Sequence, residues 1–307
     1  MNETNTTPKS RPRIALLGAG TMGAGMAERL LDQGFTVDVW NRTPGPAAAL
    51  AERGATAYTK AALAVAGADV VLTMLPTAEA VTEVMLGQGT LRELRPGAVW
   101  AQMGTIGVEA TERLASQVAR SRPDIAFVDG PVSGSRGPAR TGDLLILASG
   151  PEDAQVILER VFAALAQRTL WLGAAGAGTR MKLLLNTWLA FEVEAVAEVS
   201  ALAARLGVSY QALLEAVNGG TLASGVAITK LAKIEQGDDA PDFSLEWALK
   251  DLDLAAEAAG EAILPVESAI ADRWRRLVVQ GYGRLDISAA RMGLNPTPVG
   301  SGNGAAA

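Results

Sequence analysis

The chain predicts an α/β protein built on a doubly wound parallel sheet and followed by a second, all-helical domain. Three observations point there. Short apolar runs alternate with helix-patterned segments as far as about Leu172, the first run leads into a glycine-rich turn, and no strand pattern appears in the remainder. With 307 residues, 49% of them hydrophobic and 20% charged, the chain can give each domain a core of its own. Domains are expected at residues 12–173 and 174–293, flanked by flexible tails at 1–11 and 294–307.

Residues 13–17 form the first apolar run, which enters Gly18-Ala19-Gly20-Thr21-Met22-Gly23. A helix is expected over 22–33, stopping at Gly34, and a second strand over 36–40, so the unit closes as βαβ within about 30 residues. Glycine is needed at three points: for the tight turn, for close backbone approach to a pyrophosphate, and for packing helix on strand. The phosphates then sit at the helix N-terminus, where free N–H groups and the helix dipole favour anions. The expectation is a Rossmann-type domain. Further strands are read at 68–75, 98–103, 125–129 and 144–149, with helices at 77–86, 108–120 and 151–165.

After Gly173 the hinge-like Ala175-Gly176-Ala177-Gly178 precedes a long helix over 179–206, ending at Gly207. Helices follow around 209–217, 245–259 and 265–280. The long helix is apolar on several faces, more than one small domain can cover. A second subunit is expected against it, in a homodimer or homotetramer.

A net charge of −6 argues against a nucleic-acid surface, and no apolar run reaches the roughly 18 residues of a membrane span. Residues 1–13 are polar, without the apolar segment of a secretion signal, so a cytoplasmic protein with a small-molecule partner is expected. The chain has no Cys and no His. That excludes disulfides, thiolate zinc sites and thiohemiacetal chemistry, and no metal is expected. A proton donor must then be Lys, Tyr or a carboxylic acid. Tyr58, Tyr210 and Tyr282 lie in no Y-x-x-x-K pattern, which leaves Lys as the leading candidate.

The end of the second strand decides the cofactor. An acid there would hydrogen-bond the adenosine ribose and repel a 2′-phosphate. This chain has Asn41, then Arg42, able to grip a phosphate, and Thr43, so NADPH is expected over NADH. Asp38 lies inside the strand and should not face the ribose.

Four segments together carry a resemblance. Gly18-Ala19-Gly20-Thr21-Met22-Gly23-Ala24-Gly25-Met26-Ala27, Asp129-Gly130-Pro131-Val132-Ser133-Gly134-Ser135, the run from Gly176 through Lys182 to Asn186, and Lys250-Asp251-Leu252-Asp253-Leu254-Ala255 resemble the four signatures of the β-hydroxyacid dehydrogenases, in order and spacing. Within that family the stretch from Pro131 to Ala139, the Met-Lys-Leu run around Lys182, and Phe243 ahead of Asp251 are similar to glyoxylate/succinic semialdehyde reductases. 3-Hydroxyisobutyrate dehydrogenases are the near alternative. Imine reductases share the architecture but characteristically lack a Lys at this position, and a dinucleotide-binding sensor without catalysis is the non-enzymatic alternative.

The resemblance implies hydride passing between a nicotinamide and an aldehyde-acid carbon in a cleft between the domains. Lys182 would protonate the substrate oxygen. Spacing places Asn186 one turn on and on the same helix face, able to bond that oxygen or hold the Lys. An ammonium there also stabilises the alkoxide that forms as hydride arrives. By resemblance Ser133 and Gly134 receive the substrate carboxylate, Thr105 borders nicotinamide and substrate, Phe243 and Asp251 line the substrate site, and Lys250 approaches the cofactor. Gly18, Gly20, Thr21, Met22, Gly23, Asn41, Arg42, Thr43, Leu75, Pro76 and Thr105 complete the cofactor set. Three departures stand out: Ser135 replaces a usual Gly, Gly104 a usual Ser, and Trp247 a polar or His residue.

Overall fold

The computed structural model describes residues 11–294, so nearly all of the two expected tails lies outside the described residues. The chain divides into two compact units between Leu183 and Leu184.

In the first unit six parallel strands form one sheet: β1 (Ile14–Leu17), β2 (Val37–Trp40), β3 (Thr56–Tyr58), β4 (Val70–Thr73), β5 (Val99–Gln102) and β6 (Ala126–Asp129), in the order β3-β2-β1-β4-β5-β6. All four residues of β1 are fully buried, Ile14 and Leu16 into one core and Ala15 and Leu17 into the other. Burial on both faces is why this run is continuously apolar and not alternating. The covering helices include α1 (Thr21–Asp32), α2 (Pro44–Ala51), α3 (Ala61–Val65), α4 (Ala78–Thr82) and α5 (Val108–Ser121). The sheet reverses its winding on either side of β1 and β4, which puts a crevice at the carboxyl ends of those strands. Asp38 is buried within β2, and Arg13 Nε and Nη2 donate to its two oxygens at 2.5 and 2.9 Å, so it faces away from any ribose.

The run at 144–149 does not join that sheet. It forms β8 (Leu144–Ala148) of a separate three-stranded sheet, antiparallel to β7 (Val132–Ser133) and parallel to β9 (Ala166–Trp171). α6 (Arg136–Thr141) joins β7 to β8, and α7 (Glu152–Leu165) joins β8 to β9. β3, β7 and β9 carry no alternation of their own: β3 is three residues at the sheet edge, β7 is two, and β9 follows α7 with no turn between them.

α8 (Ala177–Leu206) starts in the first unit and continues into the second. The second unit adds α9 (Tyr210–Val217), α10 (Gly225–Gln236), α11 (Leu245–Ala259) and α12 (Pro265–Leu277). Ser209 and Ser224 cap α9 and α10 by accepting from Ala212 N and Ala227 N. Its core joins Val193 and Ala197 of α8 to Leu249 and Leu252 of α11 and Trp274 of α12. Two buried acids are paired inside it: Glu194 with Arg273 and the Trp274 indole, and Asp286 with Lys230 at 2.8 Å. Among the described residues no strand of two or more residues occurs in this unit, no helix is long and apolar enough to cross a membrane, and no cluster of metal-ligating side chains exists.

Candidate active site

The glycine turn is built as the sequence requires. At Gly18, with φ +105°, a side chain would strike the Met74 carbonyl, and at Gly23 it would strike the Gly18 carbonyl, so both positions are closed to anything larger. Gly20 differs. It is the N-cap of α1, no side chain caps the helix there, and nothing lies within 4 Å of where its Cβ would be. Thr21 is exposed and Met22 packs its stem on the core below. The space that a side chain would fill, over uncapped N–H groups, fits a dinucleotide pyrophosphate.

Beside this turn, Asn41 follows β2. Its Oδ1 accepts from Ala19 N at 2.9 Å, and its Nδ2 donates to Thr43 O and Oγ1 at 2.9 and 3.0 Å. The amide therefore braces the glycine turn against the loop, leaving exposed Arg42 as the charged group of the trio. Leu75 and Pro76 follow β4, and Thr105, half-buried, follows β5. A buried relay sets this second loop: Trp100 Nε1 donates to Thr73 Oγ1, Thr73 Oγ1 to Gln102 Oε1, and Gln102 Nε2 to Gly104 O, at 2.9, 2.7 and 2.8 Å. A Cβ on Gly104 would strike the Leu75 carbonyl, which explains why Ser is absent there.

Ser133 ends β7, half-buried, and Gly134 follows with φ +129°. Four residues upstream, Asp129 is 1% exposed and does something the sequence did not announce. Its Oδ2 accepts from Thr179 N at 2.8 Å, Gly176 N at 3.1 Å and Ser149 Oγ at 3.1 Å, while Oδ1 accepts from Thr179 Oγ1 at 2.7 Å. Gly178 N donates to Ser149 Oγ at 2.9 Å and Ala177 N to Ala174 O at 3.1 Å. Every N–H from Gly176 to Thr179 is thus satisfied before the helical bonds begin at Arg180. Burial holds the Asp129 carboxyl above the ordinary aspartate value, against the opposing pull of the Thr179, Ser149 and Gly176 hydrogen bonds. Lys182, partly buried, stands one turn further along α8.

In the second unit Asn186, 7% exposed, donates through Nδ2 to Asp251 Oδ2. Lys250 Nζ lies 2.8 Å from the other oxygen of the same carboxylate, and 6.0 Å from the centre of the Trp247 ring. One buried acid therefore holds both a neutral and a cationic candidate. The residue that departs from the family pattern, Trp247, packs its face toward the cation. Phe243 is half-buried against the core of this unit, its carbonyl accepting from Ile287 N at 2.8 Å. The structure thus groups the glycine turn, Asn41, Arg42, Thr43, Leu75, Pro76, Thr105, Ser133, Gly134 and Lys182 in the first unit, and Asn186, Phe243, Lys250 and Asp251 in the second.

An open helix start behind a glycine turn at the carboxyl ends of a parallel sheet, with a helical unit appended, defines a dinucleotide-binding α/β protein. Comparison makes this specific. Residues 13–173 match the NAD-binding domain of 6-phosphogluconate dehydrogenase, and residues 176–292 match the NAD-binding domain of NADP-dependent 3-hydroxyisobutyrate dehydrogenase. Glyoxylate/succinic semialdehyde reductase 1 of Arabidopsis thaliana is 31% identical over 90% of this chain and 96% of its own. The solved structure of Mycobacterium tuberculosis 3-hydroxyisobutyrate dehydrogenase with L-serine superposes with a TM-score of 0.83 at 31% identity, covering 92% of this chain and 98% of that one. Cytokine-like nuclear factor N-PAC of Xenopus tropicalis is 34% identical over 90% of this chain, which spans about half, 52%, of that relative's length. The chain belongs to the β-hydroxyacid dehydrogenase family, and matches to NAD-binding domains of its dehydrogenases run along nearly its whole length.

Proposed function

We propose that this chain is an NADPH-dependent reductase of small carboxylated aldehydes, glyoxylate or succinic semialdehyde, with Lys182 as the proton donor. The observation that carries the reading is the anchored start of α8, which presents Lys182 from a fixed first turn in a chain without His. Bound NADPH supplies the hydride. The Lys182 ammonium stabilises the alkoxide that forms and transfers its proton to it. Ser133, through its hydroxyl, and the glycine-relaxed backbone at Gly134 receive the substrate carboxylate. Arg42 grips the 2′-phosphate, and the Thr105 loop, held by the Gln102 relay, borders the nicotinamide. Asp251 holds Asn186 and Lys250 in place for their parts.

The Arabidopsis relative supports this substrate class, and the match to 3-hydroxyisobutyrate dehydrogenase supports the near alternative, methylmalonate semialdehyde. A second copy of the chain covers α8 in this reading, because Leu184, Trp188, Leu202 and Leu206 are 54 to 69% exposed on it. Steady-state kinetics on glyoxylate, succinic semialdehyde and methylmalonate semialdehyde, with NADPH and NADH side by side, test the assignment. Turnover of an aldehyde acid with NADPH is expected. Cofactor binding without turnover, or turnover only when an amine is added, would replace it with a binding protein or an imine reductase.

A further inference from the structure

Asp129 is the last residue of β6, and in the reading above it anchors α8 but is given no part in binding or proton transfer. Its carboxylate takes the Gly176 and Thr179 amides and the Thr179 hydroxyl, so it fixes both the rotation and the depth of the first turn of α8. The same residue is tied to its surroundings through the main chain. Asp129 N donates to Ser149 O at 2.9 Å, Ser149 N donates back to Asp129 O at 2.7 Å, and Gly130 N donates to Gln102 O at 2.8 Å. Asp129 and the next residue, Gly130, thus register the helix start against the strand leading to Ser149 and the loop bearing Thr105. Gly178 makes the approach possible, since a Cβ there would strike the Leu147 carbonyl and crowd Asp129.

We propose that Asp129 is a positioning residue for the reaction, setting where α8 presents Lys182. The assignment rests on the reading of Lys182 as proton donor. The geometry makes the demand sharp. A helix with its side chains is 10 to 12 Å across, so turning α8 by about 10° would carry the tip of a side chain by about 1 Å. A misplacement of that size can cost about 10²-fold in rate. Without the carboxylate, two buried amides of the first turn would lack acceptors, and the helix start would shift to recover them.

The test uses the full chain with glyoxylate, at a temperature well below the unfolding midpoint of every variant. In Asp129→Ala we expect kcat to fall by about 10²-fold while the dissociation constant for NADPH stays within about twofold. The deuterium isotope effect on kcat, with NADPH labelled at the transferred position, should rise as proton transfer and hydride transfer become slower than product release. Amide exchange over residues 174–183 should accelerate. Asp129→Asn keeps an oxygen for the two amides and should recover part of the rate, and Thr179→Val, which keeps the amide bond but loses the hydroxyl's bonds to Asp129 and Thr111, should lose a few-fold. If Asp129→Ala does not fold, the Asn and Val variants carry the test. Folded variants with wild-type kcat and an unchanged isotope effect would overturn the assignment, even if their thermal stability drops. A near-normal Lys182→Ala enzyme overturns both readings, whereas an inert Lys182→Ala beside a fully active Asp129→Ala overturns the positioning role alone.

Discussion

Two helices start at glycine-rich turns in the first unit, and the amides of their first turns are treated in opposite ways. α1 starts at Gly20 with no side-chain cap and open space above it. α8 starts with its amides taken up by Asp129 and Ser149. Both starts offer the same chemistry, a cluster of N–H groups at the positive end of a helix dipole. What differs is who supplies the acceptor. At α1 no side chain supplies it, whereas at α8 the protein supplies a carboxylate of its own. On the proposed reading the open start is the binding site and the closed start is the mount for a side chain carried further along. Glycine spacing alone does not distinguish them, because Gly18-x-Gly20 and Gly176-x-Gly178 look alike in sequence.

The largest effect should come from the side chain that the closed start carries. Lys182→Ala should lower kcat by about 10²- to 10⁴-fold and leave NADPH affinity nearly unchanged, measured by steady-state kinetics and fluorescence titration. Lys182→Arg should recover little, since a guanidinium keeps its proton and is bulkier. Near-normal turnover in the Ala variant would move the proton donor elsewhere.

The comparison can also be broken at the other helix. Gly20→Asp would give α1 a carboxylate cap like that of α8, in the seat expected for the pyrophosphate. NADPH affinity should fall by about 10²-fold through like-charge repulsion, while thermal stability holds or rises by a few tenths of a kcal/mol. A variant that still binds NADPH normally would show that the pyrophosphate lies elsewhere.

A smaller change should follow from the loop that Asn41 braces. Arg42→Ala should weaken NADPH by about 10- to 10²-fold, a charge-assisted hydrogen bond being worth about 1.5 to 3 kcal/mol, and leave NADH unaltered. Adding Asn41→Asp should move preference further toward NADH. Asn41→Asp also removes the Nδ2 bonds to Thr43, so some loss of stability is expected with it. If the double variant retains its selectivity for NADPH, Arg42 is not the determinant.

The smallest effect is in the pH dependence of stability, and two buried aspartates should give it opposite signs. The Asp129 value is raised, chiefly by burial, so its contribution to stability is full below the unfolded aspartate value, about 3.9, and is lost as pH rises through its folded value. Burial pushes Asp286 the same way, but the Lys230 ion pair and the amides of Ser288 and Asp242 overcome it and leave its value lowered. Its contribution is full above the unfolded value and is lost as pH falls through the folded one. Urea unfolding between about pH 3 and 6 should therefore show wild type losing ground to Asp129→Asn as pH rises, and gaining ground on Asp286→Asn. The same slope for both pairs would refute the contrast.

The βαβ opening was legible because its strands are buried on both faces and its turn demands glycine at positions that steric contact closes, Gly18 and Gly23. The second unit was legible from helical periodicity and from the stop at Gly207. What escaped was short or cooperative. β3 and β7 exist by pairing and not by pattern, and α10 begins at a glycine with a narrow apolar stripe of Leu231 and Ile234. The compact units divide inside α8, whose first turn is bonded to Asp129 and Ser149 across 29 or more residues, a tie that no local pattern announces. The role of Asp129 was invisible although the residue stood in a quoted motif. An acid at a strand end whose partners lie 47 and 50 residues downstream leaves no local signal.

That sequence separation bears on the order in which a growing chain becomes competent. Asp129 and Ser149 leave the ribosome before Gly176 and Thr179, so the acceptors are made first and the donors second. Domains fold N-terminal first during synthesis, at about 5 to 20 residues per second. The nucleotide sheet can therefore be assembled, with its carboxylate in place, by the time the first turn of α8 emerges to be captured. Lys182 can be fixed only after the sheet and its carboxylate have emerged, and a chain stalled before Gly176 would hold the glycine turn but not the proposed proton donor.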